Sequence, residues 1–238
     1  MRAVILAGGK GTRLRPFTTL IPKPLVPLGG RYSVLEIVMM QLAKAGFDHV
    51  TLAVNHLSQL IMAYFGDGSR WKIKLDYSLE DEPLGTIGPL TLITDLPDNF
   101  LVMNGDVLCD LDYRAFFEAH ASRGSDVSVS VFRRDVHIDF GVLRYNAGHD
   151  LTHFEEKPTL GFDVSMGVYC LNRRVIAALP RGKAYGFDDL MLDSLKAGRR
   201  VTVLPFGGYW LDIGRTEDYE YADEHFDELA ARLRLGIS

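Results

Sequence analysis

Short runs of aliphatic and β-branched residues alternate with amphipathic helical stretches along the first half of this sequence. The run from Arg2 to Leu6 is apolar and ends in glycines, which predicts a buried strand. Comparable runs lie at Val50 to Val54 and at Phe100 to Met103. Because such alternation is typical of βαβ units, it predicts a mainly parallel sheet covered by helices.

The helices are predicted from their periodicity and end signals. Ser33 followed by Glu36 forms a capping box, so a helix begins there and runs to the stop signal at Gly46. Further helices are predicted at residues 58–65, 86–93, 112–122, 188–197 and 216–233.

After about residue 135 the pattern changes to strands separated by turns. Strands are predicted at residues 140–145, 151–155, 165–171 and 201–211. This pattern predicts that the strands of the second half pair in a mixed rather than a purely parallel arrangement. With no repeat or linker in the sequence, we expect one α/β domain over residues 1–238 with a mixed, mostly parallel central sheet.

Charge and cysteine content narrow the function classes. A formal net charge of −5 does not favour nucleic acid or an anionic membrane as the main partner. Cys109 and Cys170 lie far apart without a C-x-x-C motif, so neither a disulfide framework nor a zinc site is predicted. The apolar run after Met1 is too short for a signal peptide, and no stretch approaches the roughly 18 apolar residues of a membrane helix. We expect a cytoplasmic protein.

A glycine-rich segment directly after the first strand is the strongest chemical signal. Gly8, Gly9 and Gly11 let the backbone approach a ligand and point N–H groups at it, while Lys10, Arg13 and Arg15 supply positive charge. This composition predicts a phosphate-binding loop, although it matches neither a Walker A loop nor a G-x-G-x-x-G fingerprint. Three prolines then stiffen the segment around Lys23, which could provide a second phosphate contact.

Two aspartates follow apolar strands that are remote in sequence. Asp106 follows the run from Phe100 to Met103, and Asp212 follows a second apolar run. Ligands in α/β sheets bind at the carboxyl ends of strands, and Mg²⁺ prefers carboxylate oxygens together with substrate phosphates. The two aspartates are therefore candidates for one magnesium site.

The segment from Gly8 to Pro16, followed by Pro22-Lys23-Pro24, resembles the signature of the sugar-phosphate nucleotidyltransferase family. The resemblance extends through nearly the whole chain and implies a Rossmann-like, GT-A-like fold. It also implies a nucleotide-binding part at about residues 1–110 and a sugar-phosphate-binding part at about 111–238. In that family the matching residues Arg13, Lys23, Asp106 and Asp212 are catalytic, and the two aspartates hold Mg²⁺.

The resemblance also assigns substrate contacts. Nucleotide binding is expected from Leu6, Ala7, Gly8, Gly9, Gly11, Thr12, Arg13, Glu82, Gly85, Thr86 and Asp106. Sugar-phosphate binding is expected from Gly141, Glu156, Lys157, Ser165 and Gly167. This chain has Ser165-Met166-Gly167 where relatives often have Asn-Ala-Gly, and Ile87 replaces a frequent small residue, so both substrate pockets are expected to differ in detail.

The expected reaction transfers a nucleoside monophosphate from a nucleoside triphosphate to a hexose or heptose 1-phosphate, and releases pyrophosphate. The segment from Glu82 to Leu90 is similar to that of mannose-1-phosphate and heptose-1-phosphate guanylyltransferases, so GTP is preferred over dTTP, UTP or CTP. A glycosyltransferase and a non-catalytic nucleotide-sugar-binding subunit are the other hypotheses. A homodimer contact through the final helix is also considered.

Overall fold

The computed structural model of the chain describes residues 1–236. The strands are β1 (Arg2–Leu6), β2 (Pro27–Leu28), β3 (Tyr32–Ser33), β4 (His49–Val54), β5 (Lys74–Leu79), β6 (Asn99–Asn104), β7 (Val107–Cys109), β8 (Val127–His137), β9 (Val142–Tyr145), β10 (Leu151–Glu155), β11 (Thr159–Asn172), β12 (Val201–Phe206) and β13 (Trp210–Asp212). The α-helices are α1 (Val34–Lys44), α2 (Ser58–Phe65), α3 (Tyr113–Arg123), α4 (Arg173–Ala177), α5 (Phe187–Lys196), α6 (Thr216–Glu224) and α7 (Phe226–Arg232).

Seven strands form the central sheet in the order β12-β8-β11-β6-β1-β4-β5. β11 runs antiparallel to β6 and β8, whereas the other neighbouring pairs are parallel. The mixed, mostly parallel sheet predicted from the sequence is thus confirmed.

The core lies on both faces of this sheet. Side chains alternate between faces along a strand, so Ala3 and Ile5 pack with α1 on one side while Val4 packs on the other with Leu90 and Ile176. Burial on both faces explains why the run from Arg2 to Leu6 is continuously apolar.

A third apolar cluster joins the two ends of the chain. Leu14, Val26 and Leu28 of the N-terminal loops pack against Ile213 and Phe226 near the C-terminus. The α6–α7 segment therefore holds in place the loop that follows β1.

Beyond the central sheet, the outer parts of β8 and β11 continue as a two-stranded extension. β12 pairs with β8 only as far as Phe132, and β6 pairs with β11 only from Val168 onward. The remaining pairs, from Arg133 with Asp163 to His137 with Thr159, enclose the hairpin β9–β10. We call residues 133–164 the arm.

The structure corrects three predicted elements. The strand expected at 201–211 is two strands in different sheets, β12 and β13, because the chain turns at Gly207 and Gly208. The helix expected at 216–233 is divided at His225, whose φ of −102° and ψ of 23° interrupt the helical backbone. The helix expected at 86–93 is a short 3₁₀ helix, Gly88–Leu92. No helix within residues 1–236 is long and apolar enough to cross a bilayer.

Candidate active site

A cleft of about 330 Å³ lies where β1 and β6 end side by side. Parallel strands bring their carboxyl ends to one edge of the sheet, which is where α/β folds bind ligands. The cleft is lined by Leu6, Ala7, Gly8, Gly9, Lys23, Pro24, Glu80, Pro83, Gly85, Thr86, Pro89, Asn104, Gly105 and Asp106.

Asp106 and Asp212 come together through a short antiparallel ladder. β7 begins directly after Asp106 and pairs with β13, so that Asp212 lies opposite Val107. The main-chain N–H of Ile213 donates to the carbonyl of Asp106 at 3.0 Å. Burial raises the pKa of Asp212 and the Asp106 carboxylate raises it further, while the cations of Lys23 and Arg13 act in the opposite direction. The structure therefore brings Asp106 and Asp212 next to each other on paired strands.

Asp106 has one satisfied and one unsatisfied carboxylate oxygen. Its Oδ2 forms an ion pair with the Nζ of Lys23, which is 11% exposed. Its Oδ1 is buried and has no hydrogen-bond partner among the described residues. Such an orphaned oxygen is costly unless another group satisfies it, so the site calls for a further cationic or donor ligand.

The residues present fit a magnesium ion. Within residues 1–236 no group of three or more His, Cys, Asp or Glu side chains forms a closed cage. Mg²⁺ is usually held by one or two carboxylates and completes its octahedron with water and substrate phosphates. Asp106 and Asp212 match that donor set.

The glycine-rich loop lies opposite these carboxylates. Leu6, Ala7, Gly8 and Gly9 line the cleft, and a Cβ at Gly8 would lie 3.0 Å from Oε1 of Glu80. The backbone of this segment therefore borders the space that a ligand would occupy.

The second part of the loop, from Gly11 to Leu14, does not line the cleft but fixes the loop to neighbouring residues. The carbonyl of Gly11 accepts a hydrogen bond of 2.7 Å from the Thr18 hydroxyl. Thr12 opens a 3₁₀ turn, Thr12–Leu14, whose last residue is buried. This turn directs Arg13 toward Asp212 rather than into the cleft.

A second cavity, of about 340 Å³, lies beside Asp212. Three guanidinium groups line it, from Arg13, Arg134 and Arg215, together with Asp218 at the start of α6. Arg134 and Arg215 were not predicted as site residues, since neither belongs to a contiguous phosphate-binding motif. The first cavity has Asp106 in its wall and the second has Asp212, so the carboxylate pair lies between them.

The loop after β5 supplies another part of the cleft wall. Gly85 and Thr86 line the cleft as expected, whereas Glu82 is exposed and borders a different cavity. Glu80 lines the cleft instead, its Oε2 accepts the N–H of Leu84 at 3.0 Å, and burial raises its pKa. Glu80 directly follows a parallel strand, so the strand-end rule applied to Asp106 would have found it.

A bulge in β11 contains Ser165 and Gly167; neither residue lines the cleft, but Gly167 lies directly against Asn104, which does. The register with β8 shifts between Ser165 and Tyr169, and Gly167 has a φ of +74°. A Cβ at Gly167 would lie 2.7 Å from Nδ2 of Asn104, which lines the cleft and was not predicted. The Trp210 indole N–H donates to the carbonyl of Met166 at 3.1 Å, tying the bulge to β13.

The remaining predicted residues lie on the arm. A Cβ at Gly141 would be 3.2 Å from Oε2 of Glu156, so these two residues are neighbours. Lys157 has a φ of +46° and is exposed. Among residues 1–236, the walls of the two cavities do not include Gly141, Glu156 or Lys157.

Comparison with known proteins gives a consistent picture. A family model described as nucleotidyl transferase matches residues 2–228. The chain is 31% identical over 228 residues to a mannose-1-phosphate guanyltransferase of Aspergillus fumigatus, covering 92% of this chain and 62% of that protein. It is also 31% identical to a UTP–glucose-1-phosphate uridylyltransferase of Synechocystis, covering 92% of this chain and 61% of that protein. The chain thus spans less than two thirds of the length of these relatives.

A solved structure is similar over nearly its full length. HddC from Yersinia pseudotuberculosis, crystallised in complex with GMP-PN, has a TM-score of 0.71 and 30% identity, and the match covers 94% of this chain and 99% of that one. The chain therefore shares its fold with HddC, as expected from the family resemblance.

Proposed function

This chain belongs to the nucleotidyl transferase family, and from that premise we propose that it is a sugar-1-phosphate nucleotidyltransferase. It would transfer a nucleoside monophosphate from a nucleoside triphosphate to a sugar 1-phosphate, with release of pyrophosphate. The observation that carries the proposal is the meeting of Asp106 and Asp212 across from the glycine-rich loop.

The chemistry requires two polyanions to approach each other within an acidic protein. The attacking oxygen belongs to a phosphate and is already anionic, so no general base is needed, and catalysis rests on positioning and charge stabilisation. Mg²⁺ held by Asp106 and Asp212 would neutralise phosphate charge. Lys23 lies in the cleft wall and Arg13 in the second cavity, so these cations would align the triphosphate and offset charge on the leaving pyrophosphate.

For the nucleotide, we propose GTP. A carboxylate accepts two hydrogen bonds at once, and guanine presents adjacent N–H donors on its Watson–Crick edge, whereas uracil and thymine present one donor between two carbonyl oxygens. Glu80 places such a carboxylate in the cleft beside Gly8. The GMP-PN bound by HddC and the guanyl transfer named for the Aspergillus relative agree with this choice. The Synechocystis relative makes UTP the alternative.

For the acceptor, we propose a hexose or heptose 1-phosphate. Ser165 and Gly167 would contact the sugar from the bulge of β11, and Gly141, Glu156 and Lys157 would reach it from the arm. Lys157 supplies the positive charge that the sugar phosphate requires.

Pyrophosphate release tests the function. The purified protein is supplied with Mg²⁺, one of five nucleoside triphosphates and one of a panel of sugar 1-phosphates. We expect release with at least one pair, and we expect Asp106→Asn and Asp212→Asn to lower kcat by about a hundredfold to a thousandfold. The control Asp98→Asn removes a carboxylate that pairs with Arg173 outside the cleft and should keep full activity.

Two results would contradict the proposal. One is the absence of pyrophosphate release with every pair of substrates. If the protein instead consumed a nucleotide sugar without releasing pyrophosphate, it would be a glycosyltransferase. The other is full activity in Asp212→Asn, which would remove the carboxylate pair from the reaction.

A further inference from the structure

The second cavity, beside Asp212, presents three guanidinium groups that come from different parts of the chain. Arg13 belongs to the 3₁₀ turn after β1, Arg134 lies on β8, and Arg215 lies between β13 and α6. A Cβ at Gly214 would lie 3.5 Å from Nη1 of Arg13 and 3.4 Å from Oδ2 of Asp212, so the guanidinium and the carboxylate border the same residue. The fold thus gathers these cations next to the carboxylate pair.

The three guanidinium groups remain available to a ligand. Within residues 1–236 none of them forms an ion pair, whereas the adjacent Arg133 pairs with Asp163 at 3.5 Å. Neighbouring side chains of a strand point to opposite faces, and Arg134 shares its face of β8 with Phe132, which also lines the cavity. Because unpaired cations repel one another unless an anion joins them, the second cavity favours an anionic ligand.

Two further polar groups in the cavity wall are already engaged. Oδ2 of Asp218 accepts the main-chain N–H of Arg215 at 3.0 Å, and the indole N–H of Trp210 donates to the carbonyl of Met166 at 3.1 Å. Phe132, whose ring centre lies 5.4 Å from that of Trp210, adds no polar atom. The cavity therefore offers mainly N–H donors, which suit phosphate oxygens because these accept, whereas sugar hydroxyls also donate.

We propose that Arg134 and Arg215 bind, together with Arg13, the β- and γ-phosphates of the nucleoside triphosphate, which leave as pyrophosphate. This role depends on the proposed function, which placed Arg13 near the leaving group. In that reaction an oxygen of the sugar phosphate forms a bond to the α-phosphorus, and the bond from this phosphorus to the oxygen that bridges to the β-phosphate breaks. The electron pair of the broken bond stays on the pyrophosphate, where the guanidinium groups stabilise the added charge.

The position of the cavity agrees with a leaving group rather than with the acceptor. The carboxylate pair separates it from the cleft proposed for the nucleoside, so the triphosphate would extend from Gly8 past Asp106 and Asp212 toward the three arginines. The proposed positive charge for the sugar phosphate comes instead from Lys157 on the arm. A phosphate monoester carries a charge of about −1.5 to −2 at pH 7, which is less than three guanidinium groups balance, whereas pyrophosphate carries more.

The reverse reaction tests this role, because pyrophosphate is then a substrate. The protein is supplied with Mg²⁺, the nucleotide sugar that the forward assay identifies, and increasing concentrations of pyrophosphate. We expect Arg134→Gln and Arg215→Gln each to raise KM for pyrophosphate by about tenfold to a hundredfold, and to leave KM for the nucleotide sugar within about twofold. The matched control Arg133→Gln makes the same change one residue away, outside the cavity, and should behave like wild type. An unchanged KM for pyrophosphate in both variants, or a raised KM for the sugar 1-phosphate in its place, would overturn the role.

Isothermal titration calorimetry with inorganic pyrophosphate and Mg²⁺ gives a measurement that needs no turnover. Arg134 and Arg215 are exposed, so their replacement should leave the fold intact. We expect the Kd of pyrophosphate to rise at least about tenfold in each variant and to stay unchanged in Arg133→Gln. Turnover by wild type together with an unchanged Kd in both variants would overturn the role of the two arginines and leave the proposed function standing. Absence of pyrophosphate release with every substrate pair in the forward assay would instead contradict the proposed function.

Discussion

Asp212 lies opposite Val107 in the ladder between β7 and β13, one residue away from Asp106. The main-chain pairing, rather than a contact between side chains, brings the two acidic groups to the same place. Like charges held together in this way favour a cation between them, and Lys23 is the cation that the protein itself provides. The stability and the reactivity of the site are therefore coupled.

Replacing Lys23 by Met should destabilise the metal-free protein. Asp106 would keep its buried, unpartnered Oδ1 and lose the ion pair at Oδ2, so we expect the free energy of unfolding to fall by about 1–3 kcal/mol. Mg²⁺ should raise the melting temperature of Lys23→Met more than that of wild type, because no ammonium competes for Asp106.

Urea unfolding with and without Mg²⁺ measures both effects. Lys10→Met is the control, since Lys10 is exposed in the same loop and its loss should change stability by less than about 0.5 kcal/mol. Equal destabilisation of the two variants would contradict the account of Asp106.

Replacing Glu80 by Gln should weaken the use of GTP. An amide offers one acceptor oxygen in place of two carboxylate oxygens, so we expect kcat/KM for GTP to fall by about tenfold to a hundredfold. The matched control is Glu82→Gln, which makes the same chemical change at an exposed residue outside the cleft wall. Steady-state kinetics with GTP and UTP distinguish the two variants. If Glu82→Gln were the defective one, the assignment of the base contact to Glu80 would be wrong.

Replacing Gly167 by Ala should displace Asn104, which lines the cleft. Both Gly167 and Gly30 have positive φ values, +74° and +63°, but only at Gly167 would a Cβ meet another residue, Asn104, at 2.7 Å. Gly30→Ala therefore measures the backbone strain alone, about 1 kcal/mol, and Gly167→Ala should cost at least about 1 kcal/mol more. Denaturant unfolding compares their stabilities, and equal losses would show that Asn104 moves aside freely.

His120 should make stability depend on pH. It is fully buried between Ser128 and Asn99, and burial lowers its pKa from 6.5 to about 4. The folded state therefore favours the neutral ring over the protonated one. The resulting contribution to the free energy of unfolding is complete above pH 6.5 and is lost as the pH falls toward 4. The expected loss is about 3 kcal/mol.

Urea unfolding between these pH values measures the slope of stability against pH. In His120→Gln the contribution of this ring is absent, so the slope should be shallower than in wild type. An unchanged slope in the variant would assign the pH dependence to other groups.

Much of the fold could be predicted from the sequence because its central strands are buried on both faces. The continuously apolar run from Arg2 to Leu6 indicates a buried strand, as the structure has it. Ser33 and Glu36 indicate the start of a helix, because their capping box is a local hydrogen-bonding pattern. The division of 201–211 depends on distant partners, since β12 pairs with β8 and β13 with β7. Local periodicity carries no information on which strand will be the partner.

The site was predictable where a motif is contiguous and less so where side chains converge. The loop from Leu6 to Gly9 lies in the cleft because it directly follows β1. Asn104 ends β6 two residues before Asp106, so the strand-end rule that gave Asp106 would also have found it, whereas Arg134 enters the second cavity only through the course of β8. The assignment of roles to Gly141, Glu156 and Lys157 stays a prediction, as does the division near residue 110.

The ladder between β7 and β13 also bears on how the protein is made. The glycine-rich loop and Asp106 are synthesised first, and the strand that carries Asp212 follows more than a hundred residues after Asp106. A nascent chain that already contains the loop and Asp106 thus still lacks the second acidic group. Completion of the proposed catalytic centre must wait until β13 has been synthesised and has paired with β7.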